Sequence, residues 1–361
     1  MKIFFDHQIF TEQSIGGISR YFKYLMDGIK YKQGINYKLG ALYSNNYYIK
    51  HENLPLQNLF FKSLFKTYEK INKRNNSYTK HLIKQNNFDI FHATYYNPNF
   101  LKYLKKPLVV TVHDMTYEAL PHLFPTTDPL PYYKRLLIER ADKVIAISET
   151  TKQDLLKYTN ITEAKITVIH HGISMEDATY EEIENLPSRY ILFVGARWSY
   201  KNFYLLAEAF KTLSSKDPDL YLVLAGGGSL GFGENEYLRR NGISDKTIQI
   251  SATDEQLNTL YKNALCFVYP SLYEGFGLPI LEAFKNSCPV LLSDCSCFPE
   301  IAGNAARYFD HKSVNSLVSE IELILSHKNI RKDMIEAGER RLLKFPIAKC
   351  IDKTIDLYQS I

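Results

Sequence analysis

Two glutamates lie eight residues apart in the segment PSLYEGFGLPILEA, at positions 270–283. Glu274 is followed by Gly275 and Gly277, which let backbone approach a ligand closely, and Glu282 falls in the first turn of a predicted helix. Carboxylates accept hydrogen bonds from sugar hydroxyls, and backbone amides donate to phosphate. The segment therefore predicts a site for a phosphorylated, hydroxyl-rich ligand. The simpler interpretation, a helix-dipole charge and a turn residue, leaves both glycines unexplained.

Two cations lie four residues apart in the segment GARWSYKN, at positions 195–202. Arg197 and Lys201 follow a predicted strand and precede a predicted helix. A guanidinium and an ammonium beside a helix start suit a diphosphate, because two negative charges need neutralising and the fork matches phosphate oxygens. The alternative is a solvated surface pair, and the position after a strand favours the phosphate.

The first half of the chain has two further candidates. Gly16 and Gly17 end a polar loop before a predicted helix, where free amides would attract an anion; an ordinary turn explains them equally well. His113 and Asp114 follow a predicted strand, so His113 could bind a substrate hydroxyl or move a proton. A buried histidine bonded to neighbouring backbone is the alternative.

Two other motifs are interpreted as turns. Gly226-Gly-Gly-Ser-Leu-Gly231 matches the dinucleotide-binding pattern, but the next predicted strand has no acidic residue at its end to hold a ribose. Asp217-Pro-Asp219 has the form of a metal-binding sugar-transferase motif, but it precedes its strand. We therefore expect no cofactor and no bound metal.

Short β-branched and aromatic runs alternate with longer helical stretches, which is typical of parallel βαβ units. The fold class predicted is α/β, with two sheets of similar size. The predicted strands are Ile3–Phe5, Tyr37–Leu42, Asp89–His92, Leu108–Val112, Val144–Ile147, Ile166–Ile169, Tyr190–Val194, Tyr221–Ala225, Ile248–Ile250, Cys266–Tyr269, Val290–Leu292 and Ala306–Phe309.

The length of 361 residues favours two domains. The acidic, proline-ended stretch 175–188 is a predicted linker between domains at 1–174 and 189–346. Residues 347–361 follow Phe345-Pro346 and carry apolar side chains at helical spacing, so they predict a terminal helix that packs on an apolar surface.

Composition excludes several classes of protein. A hydrophobic fraction of 45% is too high for a disordered chain, and a net charge of +5 is too small to predict nucleic acid binding. Five cysteines without a signal peptide predict free thiols in a cytoplasmic protein. No apolar run is long enough to cross a bilayer.

A basic, partly apolar stretch covers residues 59–73. Its apolar residues alternate with lysines, among them Lys62 and Lys66. The apolar residues are Leu59, Phe60, Leu64 and Tyr68. Peripheral contact with an anionic membrane would use this pattern. Core packing with the lysines extending outward explains it as well and is favoured.

Taken with their order and spacing, the motifs resemble those of family 4 glycosyltransferases, which are retaining nucleotide-sugar enzymes of the GT-B fold. The matching stretches run nearly from end to end: GGISRY (16–21), TVHDM (111–115), IAISE (145–149), VIHHGI (168–173), VGARWSYKN (194–202), VYPSLYEGFGLPILEA (268–283) and PEIAG (299–303). The opening FDHQIF and TVHDM look most like the branch of bacterial polysaccharide mannosyltransferases.

The resemblance implies two Rossmann-like domains that face each other across a cleft, with the terminal helix returning to the first domain. It places Arg197 and Lys201 on the donor diphosphate, Glu274 on the transferred sugar and Glu282 on the ribose. The other implied donor contacts are Gly17, His113, Gly275, Phe276, Gly277 and Leu278. GDP-mannose is the implied donor, and the implied acceptor is a glycan or lipid-linked oligosaccharide. The stretch Lys285-Asn-Ser-Cys-Pro289 departs from the family, which usually has a small residue and a glycine there.

Three other functions fit some of these residues. A retaining glycosidase would use Glu274 and Glu282 as nucleophile and acid, but the cationic loop at 197–201 argues against it. A non-catalytic subunit would bind nucleotide sugar or glycan without turnover. An epimerase of the same fold would convert the donor with no acceptor present.

Overall fold

Alternating strands and helices build two units of the chain in the computed structural model, which describes residues 1–57, 65–197 and 199–361. The first unit comprises Met1–His171 with Ile347–Ile361, and the second comprises Gly172–Pro346. The predicted linker 175–188 thus belongs to the second unit. The Thr259 hydroxyl donates to the Glu181 carbonyl at 2.7 Å, which ties this segment to its neighbours instead of leaving it free.

The first unit contains one parallel sheet of six strands in the order β2-β1-β3-β4-β5-β6. All residues of β3 and β4 are buried, as expected for strands covered by helices on both faces. The strands are β1 Lys2–Asp6, β2 Asn36–Gly40, β3 Ile90–Ala93, β4 Leu108–Val112, β5 Lys143–Ala146 and β6 Ile166–Val168. The helices are α1 Gln8–Glu12, α2 Gly17–Lys30, α3 Tyr68–Gln85, α4 Thr116–Ala119, α5 Leu130–Arg140 and α6 Glu149–Tyr158.

The second unit contains another parallel six-stranded sheet, in the order β12-β11-β10-β7-β8-β9. Its strands are β7 Tyr190–Val194, β8 Tyr221–Ala225, β9 Thr247–Ile250, β10 Cys266–Tyr269, β11 Val290–Ser293 and β12 Arg307–Phe309. Its helices are α7 Phe203–Lys216, α8 Phe232–Arg240, α9 Asp254–Asn263, α10 Leu278–Lys285, α11 Phe298–Ala302, α12 Val314–Ser326 and α13 Lys328–Leu342. Every predicted strand is present, so the predicted α/β class with two sheets is confirmed.

The terminal helix α14, Ile347–Gln359, belongs to the first unit. The Tyr358 hydroxyl lies 2.5 Å from His92 Nδ1, and the Thr111 hydroxyl lies 2.9 Å from His92 Nε2. Burial lowers the pKa of His92 to about 3, so the ring is neutral and one of its nitrogens accepts. This buried chain of hydrogen bonds joins α14 to β3 and β4. The predicted return of the terminal helix to the first unit is confirmed.

The described part of the basic stretch, residues 65–73, is mixed in its burial. Phe65 and Ile71 are buried, whereas Tyr68, one of the apolar residues of the pattern, is 44% exposed. Leu59, Phe60, Lys62 and Leu64 lie outside the described residues. In the described ranges, no helix combines the length and apolar content needed to cross a membrane.

The close approach of α2 and α14 depends on Gly28. A Cβ at this position would lie 2.5 Å from Ile351 Cγ2 and 2.8 Å from its Cδ1. We expect Gly28→Ala to destabilise the protein by about 1–3 kcal/mol through overpacking, although alanine favours helix. Thermal unfolding measures the effect.

Gly233→Ala is the matched control, since Gly233 lies in α8 with no atom within 4 Å of an added Cβ. Its melting temperature should equal or slightly exceed that of the wild type. Equal melting temperatures for the two variants would show that α2 and α14 can separate at no cost.

Candidate active site

The strand order of the second sheet reverses between β7 and β10, which are hydrogen-bonded neighbours. Ligands of open parallel sheets bind beyond the carboxyl ends of the strands at such a reversal. Lys201 follows β7 and Glu274 follows β10, and Lys201 Nζ lies 2.6 Å from Glu274 Oε1. Each side chain is 13% exposed. The structure thus brings two predicted site residues into one ion pair at the expected place.

The loops that carry this ion pair are joined to each other. The Leu272 amide donates to the Tyr200 carbonyl at 2.7 Å. Lys201 Nζ lies 3.4 Å from the hydroxyl of Tyr269, the last residue of β10. Burial raises the pKa of Tyr269 well above its usual value, and the nearby Glu274 carboxylate raises it further. The phenol is therefore neutral and leaves the ammonium charge to Glu274 and to a ligand.

Glu282 lies deeper than Glu274, in helix α10. Its side chain is largely buried, and the Tyr261 hydroxyl donates to Glu282 Oε2 at 3.2 Å. Gly277 precedes α10 with φ +89°, and a Cβ there would lie 3.0 Å from Ile280 Cδ1 and 3.2 Å from Phe298 Cε1. Glycine is required here for both reasons. The helix begins at Leu278, so Glu282 is its fifth residue and lies past the first turn in which it was predicted.

Arg197 is not brought together with Lys201 and Glu274. Its Nε donates to Glu234 Oε1 at 2.7 Å, and its Nη atoms donate to the carbonyls of Gly226 at 3.0 Å and Gly228 at 2.9 Å. The guanidinium side chain is 3% exposed. In this structure Arg197 holds the glycine-rich loop, and its predicted contact with a diphosphate stays a prediction.

The glycine-rich loop after β8 is a turn, as predicted. Gly226, Gly227 and Gly228 all have positive φ, between +70° and +77°, a conformation that turns the loop's carbonyls toward Arg197. A Cβ on Gly227 would lie 2.7 Å from the Gly195 carbonyl oxygen. The conformation of these glycines is therefore explained by the contacts of the buried arginine.

His113 follows β4 in the first unit and is enclosed by aromatic rings. Its ring centroid lies 5.5 Å from that of Tyr21 and 5.6 Å from that of His171. Both ring nitrogens are buried, and neither has a hydrogen-bond partner among the described residues. Burial, with a smaller contribution from His92, lowers the pKa of His113 to about 3. The ring is neutral and can offer one donor and one acceptor to a ligand.

The start of α2, with Gly16 and Gly17, is partly covered by a side chain. The Ser19 amide donates to Gln13 Oε1 at 3.2 Å, and a Cβ on Gly16 would lie 2.5 Å from the same oxygen. An amide oxygen thus occupies the position predicted for an anion. Any phosphate bound at Gly17 would have to displace Gln13.

Several residues that shape these sites have no recognisable signal in the sequence. Glu234 and Tyr261 are examples, since their contacts with Arg197 and Glu282 join segments far apart in the chain. Thr94 is another, although its partner Asp6 lies in the quoted stretch FDHQIF: the buried Asp6 carboxylate accepts from the Gln8 side chain at 2.7 Å and from the Thr94 hydroxyl and amide. These hydrogen bonds join the end of β1 to the residue after β3, the two neighbouring strands between which the strand order of the first sheet reverses.

The described histidine, cysteine and acidic side chains form no cluster of metal ligands and no disulfide bond. The parts of the chain that the structure describes hold no group of three or more His, Cys, Asp or Glu side chains suited to a metal ion. The cysteines are free thiols; they are Cys266, Cys288, Cys295, Cys297 and Cys350.

Comparison with solved structures identifies the fold. The chain matches sucrose-phosphate synthase from Thermosynechococcus elongatus with a TM-score of 0.76 and 17% identity, over 99% of this chain and 98% of that one. It matches HepE from Anabaena, solved with UDP and glucose, with a TM-score of 0.74 and 16% identity, over 100% and 99% of the two chains. The chain has the fold of the GT-B glycosyltransferases, as predicted.

Two family models cover most of the chain. "Glycosyltransferase Family 4" matches residues 15–177, and "Glycosyl transferases group 1" matches residues 176–341. This chain belongs to family 4 of the glycosyltransferases. The predicted family, and with it the class of glycosyltransferases, is thereby confirmed.

Curated relatives include two O-antigen chain mannosyltransferases. O-antigen chain mannosyltransferase RfbU of Salmonella typhimurium is 30% identical over 59% of this chain, and the match spans 60% of that protein. O-antigen chain mannosyltransferase B of Escherichia coli is 28% identical over 74% of each chain. The uncharacterised glycosyltransferase YqgM of Bacillus subtilis is 29% identical over 91% of this chain and 94% of its own length.

Four buried histidines of the first unit make its stability depend on pH. Burial lowers the pKa of His7 to about 4, that of His92 and His113 to about 3, and that of His171 well below its usual value. Unfolded, each binds a proton near pH 6.5, so the unfolded state gains protons first as pH falls. The opposing group is Asp6, whose pKa burial raises to about 6. Four groups outweigh one, and stability should fall from pH 7 to pH 5.

Melting temperatures between pH 7.5 and pH 5 measure this effect. Each histidine contributes about 1.4 kcal/mol per pH unit below pH 6.5. We expect His92→Gln to flatten the pH dependence, whereas the exposed His51→Gln should leave the slope unchanged. A wild-type melting temperature that rises toward pH 5 would contradict the assignment of neutral, buried histidines.

Proposed function

We propose that this chain transfers mannose from GDP-mannose to a hydroxyl of a glycan or lipid-linked oligosaccharide in surface polysaccharide synthesis. The observation that carries the proposal is the Lys201–Glu274 ion pair at the strand reversal of the second sheet. Two relatives named as O-antigen chain mannosyltransferases support mannose as the sugar. The HepE structure with UDP and glucose supports the alternative, a UDP-sugar donor.

The charges of the pair suit the two parts of a nucleotide sugar. The Lys201 ammonium would face the diphosphate, and the Glu274 carboxylate would accept from hydroxyls of the transferred sugar. Glu282, oriented by the Tyr261 hydroxyl at 3.2 Å, would accept from the ribose. The backbone from Phe276 to Leu278 would donate to sugar and phosphate.

The proposed reaction retains the configuration of the anomeric carbon. The acceptor oxygen forms its bond to that carbon on the face from which the diphosphate departs, and the electron pair of the broken C–O bond leaves with the diphosphate. A diphosphate oxygen takes the proton of the acceptor hydroxyl. The catalytic groups are Lys201, the start of α10 and Glu274, which act on charge developing at the leaving group and the sugar. Arg197 would join them on the diphosphate only by leaving its contacts with Glu234 and the glycine-rich loop.

Two residues of the first unit complete the proposal. The neutral His113 ring would hydrogen-bond the sugar near its hydroxymethyl group, because both of its nitrogens are left without a partner among the described residues. Gly17 would lie by the phosphate once Gln13 has moved. No metal enters the proposed reaction, since cationic side chains supply the positive charge.

Peripheral contact with an anionic membrane is a further proposal about partners. The stretch predicted to make this contact is 59–73, and its described part exposes Lys66, Tyr68, Lys70 and Lys73. Exposed lysines beside an aromatic ring suit anionic headgroups. Sedimentation with anionic vesicles checks it, and the cytoplasmic location stays a prediction.

Thermal stabilisation by a panel of nucleotides and nucleotide sugars, with and without EDTA, tests the donor. A ligand at a hundredfold excess over its dissociation constant stabilises by about 2.7 kcal/mol. We expect GDP and GDP-mannose to raise the melting temperature equally in both conditions. If only UDP compounds raise the melting temperature, the donor is a UDP-sugar and not GDP-mannose. A response that EDTA abolishes would contradict the metal-free reaction, and no response at all would contradict the proposed function.

Glu274→Gln tests the role of the carboxylate in turnover. The neutral amide should lower the rate of sugar transfer or donor hydrolysis on the order of 10²–10³-fold while GDP binding persists, because the lost interaction acts mainly on developing charge. Glu322→Gln is the control. Glu322 forms an exposed ion pair with Lys216 at 2.6 Å, and its substitution should leave the rate of sugar transfer unchanged. Near-normal turnover by Glu274→Gln would refute the assignment. NMR of the first product checks that the anomeric configuration is retained.

A further inference from the structure

The backbone of Glu274 is held by a serine from another loop. The Glu274 amide donates to Ser296 Oγ at 3.2 Å, and the Ser296 hydroxyl donates to the Glu274 carbonyl. One hydroxyl therefore satisfies both backbone groups of the residue that carries the carboxylate. Ser296 lies between β11 and α11, far from Glu274 in the chain but beside it in space.

Neighbouring residues of the same loop hold the base of the Glu274 segment. The Ser293 hydroxyl donates to the Ser271 carbonyl at 2.5 Å, and the Cys295 thiol donates to the same oxygen at 3.0 Å. On its other side the segment is tied to the loop after β7 through the Leu272 amide and the Tyr200 carbonyl. The Glu274 segment is thus fixed between two loops, and Ser296 provides the contact at the glutamate itself.

The conformation of Ser296 is unfavourable for serine. Its φ is +54°, in the left-handed region where a side chain is strained and glycine is not. Strain of this kind persists where surrounding contacts determine the conformation, and it is common at functional sites. Glycine would adopt the same backbone more easily, so the property that only serine supplies here is the hydroxyl.

We propose that Ser296 is a positioning residue for Glu274, an inference that rests on the proposed function. With its amide and carbonyl both fixed, residue 274 directs its Cα–Cβ bond so that the carboxylate stays 2.6 Å from Lys201 Nζ. Without the hydroxyl, Lys201, Glu282 and α10 still bind the nucleotide. The carboxylate loses its fixed direction, so turnover suffers more than donor binding.

Two variants at position 296 separate the hydroxyl from the backbone conformation. Ser296→Gly removes the hydroxyl and relieves the strain, whereas Ser296→Ala removes the hydroxyl and keeps the strain. We expect both to lower the kcat of GDP-mannose turnover, followed as GDP release with water as the acceptor, by about 10- to 100-fold. The KM should change less than threefold, on the order of 0.6 kcal/mol or less. Peptides containing Glu274 should exchange their amide hydrogens faster in both variants.

Ser287→Gly is the matched control. Ser287 also has a positive φ, +52°, but its hydroxyl donates to Glu339 Oε1 at 3.1 Å, away from Glu274. This variant should keep wild-type kcat, KM and hydrogen exchange around Glu274. A similar loss in Ser287→Gly would assign the effect to the second unit as a whole and overturn the proposal.

The remaining outcomes distinguish this inference from the proposed function. If Ser296→Gly keeps wild-type kcat while Ser296→Ala does not, only the backbone conformation matters and the positioning role is refuted. If both variants lose GDP stabilisation together with kcat, Ser296 maintains the fold of the site and the proposal also fails. If the wild-type protein neither binds nor turns over any nucleotide sugar of the panel, the proposed function fails first, and the catalytic meaning of Ser296 fails with it.

Discussion

The reversal of strand order between β7 and β10 is the constraint on which the second unit depends. Parallel neighbours place their carboxyl ends at one edge, and the reversal sends the following helices to opposite faces, so the two loops diverge where ligands of such sheets bind. Lys201 and Glu274 are the charged side chains that meet there. Neighbouring contacts fix the two loops that carry them. The Leu272 amide joins one loop to the other, and Gly277 lets the chain turn into α10.

The two cations of the 195–202 loop have different tasks because their surroundings differ. Lys201 is partly exposed and paired with the Glu274 carboxylate at the strand reversal, so its charge is available to a ligand. Arg197 is buried, and a buried guanidinium must have its donors satisfied. Glu234 and the carbonyls of the glycine-rich loop do this. The glycines of that loop match a nucleotide-binding pattern in the sequence. In the structure their positive φ values direct the loop's carbonyls to the Arg197 guanidinium.

Much of the fold could be predicted from the sequence, because buried parallel strands are short runs of β-branched and aromatic residues bounded by turns. Leu108–Val112 and Tyr190–Val194 have the predicted limits, whereas β2 was predicted to begin and end later than Asn36–Gly40. Glu274 and Lys201 could be predicted as site residues because both follow strands. The partners Glu234, Tyr261 and Ser296 could not, since their contacts join distant segments and depend on packing. The predicted linker at 175–188 makes a contact of the same kind, because the Thr259 hydroxyl donates to the Glu181 carbonyl.

The environment of His113 limits what the first unit can contribute to the proposed transfer. A ring with a pKa of about 3 carries no charge near neutral pH and is a poor proton acceptor, so it suits hydrogen bonding to a hydroxyl rather than acid–base catalysis. The rings of Tyr21 and His171 exclude water around it and keep it neutral. Stabilisation of the leaving diphosphate would then fall to the second unit, and the acceptor's proton would go to the diphosphate. The positive charge of Lys201 and the direction of the Glu274 carboxylate are the features on which the proposed reaction depends most.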